Sequence, residues 1–101
     1  MIEKYYICTV CGYPNLSEPP WIFEKSYPSD EICPSCGTHF GYNDFGTTKG
    51  EIISRQINLR ESWLKNGMKW WSIYRVVPSD WNLSAQLKNI PNEFLGADEA
   101  Y

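Results

Sequence analysis

The sequence predicts a small α+β fold: a four-cysteine β module, then a helix, an aromatic segment and a short C-terminal helix. Three observations lead there. All four cysteines fall in two copies of Ile-Cys-x-x-Cys-Gly, at positions 7–12 and 32–37. Pro14, Pro19, Pro20 and Pro28 lie between or beside these copies and exclude a long regular helix there. Beyond Thr48, apolar residues recur at helical spacing.

Each element has its own reason. Tyr5-Tyr6-Ile7 is β-prone and leads into the first cysteine pair. Phe40-Gly41-Tyr42 predicts a short returning strand. Gly46-Thr47-Thr48-Lys49-Gly50 is a turn signal. It divides a four-cysteine module, residues 1–46, from a helical, aromatic-rich extension, residues 47–101, packed on it as one compact domain. Thr48-Lys49-Gly50-Glu51 fits a capping box, with a hydroxyl at the N-cap and a carboxylate three residues on. The helix it opens carries Ile53, Ile57 and Leu64 on one side, widened by Ile52, Leu59 and Trp63. Asn66-Gly67 supplies a left-handed stop. The run "MKWWSIYRVVP" reads as a strand or an irregular packed segment, since its paired Trp break any clean alternation. Pro78-Ser79-Asp80-Trp81 opens a second, shorter helix with Leu83, Leu87 and Ile90 on one face, and Pro91 ends it. Residues 92–101 form an acidic tail that is expected to fray.

Composition narrows the function classes. A chain of 101 residues buries a modest core, so a metal staple would add usefully to its stability. Five Trp and seven Tyr point to an aromatic-rich core or an adhesive surface. The formal net charge is −3, against the clustered cations that broad phosphate-backbone binding needs. Met1-Ile2-Glu3-Lys4 lacks the basic start of a secretory leader, and no apolar run is long enough to cross a bilayer. A cytoplasmic protein with reduced thiols and no membrane partner is the expectation.

The cysteines carry the strongest signal. Cys8-x2-Cys11 and Cys33-x2-Cys36, with twenty-one residues between, have close to the spacing of a tetrahedral metal site. Two residues between ligands let both sulfurs of a tight turn point at one ion. The glycine after each pair, Gly12 or Gly37, permits a positive φ and lets backbone N–H groups turn toward the thiolates. His39 is redundant beside four thiolates and reads as a turn residue at the edge of the site. "CPSC" lacks the helix N-terminus and βαβ setting of a redox dithiol. Asp30-Glu31 and Asp44 read as turn or capping carboxylates.

"YICTVCGY" and "ICPSCG" are similar to the two knuckles of rubredoxins and zinc ribbons. Together with "CGYPNLSEPP", "WLKNGMKWWS" and "PSDWNLSAQLKNI", they resemble small bacterial proteins akin to the cysteine-rich CPCC family. The resemblance implies a zinc-ribbon (rubredoxin-like) module followed by helices, with metal ligands at Cys8, Cys11, Cys33 and Cys36. It implies no activity.

A closed four-thiolate site has no open coordination position, so zinc there would be structural. Zinc is the expected ion and iron the alternative. No other catalytic constellation is present, and the reading is not an enzyme but a metal-stabilised interaction or adaptor module with a protein partner. Trp70, Trp71, Tyr74 and Arg75 are its candidate interaction surface, unless the two Trp belong to the core. The alternatives are a rubredoxin-like electron carrier and a nucleic-acid-binding zinc ribbon.

Overall fold

Both cysteine pairs fold into the same backbone device. In the computed structural model, which describes residues 4–101, the amide of Cys8 donates to the Tyr13 carbonyl at 2.8 Å and that of Gly12 returns to Cys8 at 2.8 Å. Cys33 donates to Thr38 at 3.0 Å and Gly37 to Cys33 at 2.8 Å. Gly12 and Gly37 take φ of 85° and 79°, a region nearly closed to other residues. Each turn is closed behind by an antiparallel bridge, Tyr6 to Leu16 and Ile32 to His39. The bridging partner in the second knuckle is thus His39. Phe40-Gly41-Tyr42, expected as a strand, is a turn, because Tyr42 and Asn43 both donate back to the His39 carbonyl. The leader reading begins on residues 1–3, which lie outside the described residues.

The proline-rich stretch between the knuckles holds a small hairpin. β1 (Trp21–Ile22) pairs antiparallel with β2 (Tyr27–Pro28) around a 3-10 turn, Phe23–Lys25. Pro28 sits at the strand end, where its missing N–H costs nothing to the ladder.

α1 spans Lys49–Lys65. Thr48 Oγ1 accepts from the Glu51 amide at 3.1 Å, as expected of an N-cap. The Glu51 carboxylate reaches one residue further back than a capping box requires, to the Thr47 amide at 2.9 Å. That hydrogen bond holds the Glu51 carboxyl below its ordinary range. At the other end Gly67 takes φ 96°, and Met68 donates to the Trp63 carbonyl at 2.9 Å.

The buried face of α1 differs from the expected stripe. Its buried residues are Ile52, Gln56, Arg60 and Trp63, while Ile53, Ile57, Leu59 and Leu64 flank them, half-buried. Counting apolar residues misplaced the centre because two polar side chains, Gln56 and Arg60, bond to the cysteine module inside the core.

The segment after α1 is irregular, not a strand. α2 (Leu83–Leu87) is shorter than expected and opens at Asn82, whose Oδ1 accepts from the Ala85 amide at 3.1 Å. It stops before Pro91 because the Asn89 and Ile90 amides tighten onto carbonyls three residues back. A 3-10 turn, Asn92–Phe94, follows. The tail expected to fray is anchored instead. Phe94 is buried, the Gly96 amide donates to Glu99, and Glu99 pairs with Arg60 on α1.

Candidate metal centre

The knuckles bring the four sulfurs into one cluster. The Sγ atoms of Cys8, Cys11, Cys33 and Cys36 all lie within 4.8 Å of one another. Across the knuckles, Cys8 and Cys36 stand 3.8 Å apart, and Cys11 and Cys33 3.7 Å. A tetrahedral ion with metal–sulfur bonds of ~2.3 Å has sulfur–sulfur edges of ~3.8 Å. A disulfide needs ~2.05 Å. The donor set therefore fits a tetrathiolate-bound divalent ion in both chemistry and size.

Three of the cysteines are fully buried, and Cys36 reaches the rim. Burial drives the Cys8 and Cys33 thiols well above their ordinary range; hydrogen bonds to the other three cysteines add to it at Cys8, and those to Cys11 and Cys36 add to it at Cys33. Burial pushes Cys36 up as well. Hydrogen bonds from Cys11, Cys33, Cys8 and the Thr38 hydroxyl outweigh it and hold Cys36 well below that range. A divalent cation supplies the charge that lets all four ionise.

Gly12 and Gly37 take the positive φ that the sequence suggested, and their own amides are engaged elsewhere. They close the knuckles onto cysteine carbonyls. Among the described residues, the polar contact to sulfur from outside the cysteine set is the Thr38 hydroxyl, 3.2 Å from Cys36. His39 stays out of the cluster and pairs with Asp30 at 2.9 Å. Glu31 accepts from the Ser17 and Glu18 amides, which ties the inter-knuckle stretch to the second knuckle.

What fixes the knuckles in place is a set of buried polar side chains that pattern reading missed. Gln56 accepts from the Thr9 hydroxyl at 2.6 Å and donates to Asp44 at 2.7 Å. Asp44 also accepts from Trp21 Nε1 and from the Gly41 amide. Arg60 Nη1 donates to the carbonyls of Thr9 and Val10 at 3.1 Å. From α2, Gln86 donates to the Cys11 carbonyl and to Ser35 Oγ, so one amide group bridges both knuckles. Asn89 donates to the Gly12 carbonyl. The approach is close: a Cβ on Gly12 would sit 1.9 Å from the Gln86 carbonyl oxygen. Among the described residues no buried side-chain polar atom lacks a partner, so this network is complete rather than half-built.

The aromatic segment divides. Trp70 is half-buried, edge-on to Tyr13 and Trp81, and its Nε1 donates to the Arg75 carbonyl at 3.0 Å. Trp71 lies over Gly37, whose Cβ would meet the indole at 2.4 Å, yet it remains 52% exposed. Tyr74 and Arg75 are exposed. Of the four surface candidates, Trp70 belongs with the core and the other three face water.

Fold and site together define a small α+β protein with a two-stranded antiparallel sheet, one main and one short helix, and a four-cysteine cluster that can hold a metal ion. Comparison with known proteins places it among small bacterial proteins. The chain is 32% identical over 97 residues to "Uncharacterized protein YoaQ" of Bacillus subtilis (strain 168), covering 88% of this chain and 76% of YoaQ. It belongs to the YoaQ family. It is also 35% identical over 77 residues to "Uncharacterized protein YozI" of the same organism, across 67% of this chain and 64% of YozI. No family profile matches, so the narrower likeness to the CPCC proteins gains no support there. No solved structure matches significantly.

Proposed function

We propose that the protein is a zinc-stabilised, non-catalytic interaction module of zinc-ribbon type. Cys8, Cys11, Cys33 and Cys36 would hold the ion, and residues 71–77 would form the working surface. One observation carries the reading: four sulfurs within 4.8 Å of one another, with cross-knuckle edges of 3.7 and 3.8 Å. Four thiolates complete a tetrahedron and leave no position for a substrate, so the ion acts through folding free energy. Burial of Asp44, Gln56, Arg60 and Gln86 with every polar atom engaged supports a scaffold, because none is aimed free into a cavity. A tetrathiolate iron centre would share this geometry, and the position of Cys36 at the rim is what favours that electron-carrier alternative.

The test is paired substitution. Cys8→Ser should lose bound metal and the ordered knuckle region, read as metal per chain by mass spectrometry and as lost amide protection over residues 6–44. His39→Ala should keep full metal content. A Cys8→Ser variant with unchanged metal content and melting would contradict the reading.

A further inference from the structure

Residues 73–76 form a tongue that exposes its apolar side chains more fully than any other segment of the described residues. Ile73, Tyr74 and Val76 are 86%, 88% and 91% exposed. Near neighbours in the chain point in different directions, so a segment lying flat on the globule would shield some of them. Exposure this complete means that the segment projects into water. Its base is clipped down. The Trp71 and Ser72 amides donate to the Pro34 carbonyl at 3.1 and 2.9 Å. Ser72 Oγ accepts from the Tyr74 and Arg75 amides, and Trp70 Nε1 holds the Arg75 carbonyl. The tongue is thus a preorganised apolar tip on the second cysteine knuckle.

Its charge is equally distinct. Between Glu61 and Asp80 the chain carries Lys65, Lys69 and Arg75 and no acid, the longest acid-free stretch in the sequence. The rest of the chain carries six cations against twelve acids. Two copies meeting tongue to tongue would bring cations together, which disfavours a symmetric dimer through this surface.

We infer that this tongue inserts its apolar tip into the interface of an anionic lipid bilayer, with Arg75 and Lys69 toward the headgroups. A fluid interface takes a projecting tip without a matching cleft, and Trp71 and Tyr74 are of the type that settles at headgroup level. The net acidity of the molecule does not forbid this. Screening acts over ~8–10 Å at physiological salt, while the molecule extends 38 × 37 × 22 Å. No described helix is long and apolar enough to cross a membrane, and a surface contact needs none. The inference rests on residues 71–77 being the working surface proposed above.

The test uses metal-loaded protein, checked for one ion per chain, and sedimentation with vesicles of phosphatidylcholine containing roughly 30% phosphatidylglycerol. The expected result is co-sedimentation that weakens at least about tenfold with pure phosphatidylcholine vesicles and about tenfold or more for Ile73→Ser/Val76→Ser. Arg75→Glu, which leaves the apolar tip intact, should weaken it as well. Failure to sediment with the anionic vesicles, or sedimentation unchanged by the Ser substitutions, overturns the inference. Concentration-dependent dimerisation abolished by those substitutions, without vesicle binding, would overturn the lipid inference while leaving the working surface in place.

Discussion

Replacing Arg60 by Met should destabilise the fold by about 4 kcal/mol. Arg60 is fully buried on α1, and its guanidinium joins three separate parts of the chain. It donates to the Thr9 and Val10 carbonyls in the first knuckle, to the Phe94 carbonyl, and through Nε and Nη2 to both oxygens of Glu99. Met keeps much of the apolar stem but none of the donors. Three backbone carbonyls lose a partner at about 1 kcal/mol each, the low end for buried acceptors. Glu99, with a side chain 15% exposed, loses its counter-ion and adds about 1–2 kcal/mol after partial rehydration. On a chain of this size that is on the order of 15–30 °C in melting temperature. Arg60→Lys keeps the charge but not the fork, and should fall between wild type and Met. The assay is urea unfolding of metal-saturated protein followed by tryptophan emission. A cost below about 1 kcal/mol for Arg60→Met would refute the claim that this side chain ties the C-terminal segment and α1 to the knuckle.

Acid titration should expose the same pair from the other side. The hydrogen bonds from Arg60 lower the Glu99 carboxyl from 4.5 to about 2. A carboxyl depressed on folding contributes stability that is complete above 4.5 and is lost as pH falls through about 2. The full shift is equivalent to roughly 3 kcal/mol, which solvent at the open side of the carboxylate reduces to about 1–2. The stability difference between wild type and Glu99→Gln should therefore hold at neutral pH and narrow below 4.5. Thiolate protonation is common to both proteins and cancels in the difference, and a pH-independent difference would contradict the assignment. Gly12→Ala should cost about 3 kcal/mol or more, through positive φ and the clash with the Gln86 carbonyl. Gly50→Ala, which meets nothing closer than 3.9 Å, should stabilise α1 by up to about 1 kcal/mol. Equal thermal shifts of the same sign in these two variants would contradict the packing described.

The parts of the fold legible in the sequence are those governed by local rules. The doubled Cys-x-x-Cys-Gly gave the knuckles and their positive-φ glycines, because a two-residue spacing and a missing Cβ act within one turn. Thr48 and Asn66-Gly67 marked the two ends of α1 for the same reason. What escaped depends on distant partners. Gln56, Arg60 and Gln86 look like solvent-facing residues in a one-dimensional pattern. They are buried because Thr9, Asp44, Ser35 and four backbone carbonyls meet them across the chain. The tail read as frayed because its acids suggested solvation, yet one of them, Glu99, is the partner of Arg60. The polar gaps at Gln56 and Arg60, four residues apart on an otherwise apolar face, were the available signal.

Metal content of the purified protein tests the central claim most directly. Protein prepared without added metal or chelator would be analysed by inductively coupled plasma mass spectrometry, alongside its visible spectrum and a free-thiol count on the denatured chain. The account expects one zinc per chain, a colourless solution and four titratable thiols. A metal-free protein with its cysteines oxidised to disulfides would contradict the metal centre itself. An intense red absorption with one iron per chain would keep the tetrathiolate site and contradict its role as a structural zinc centre.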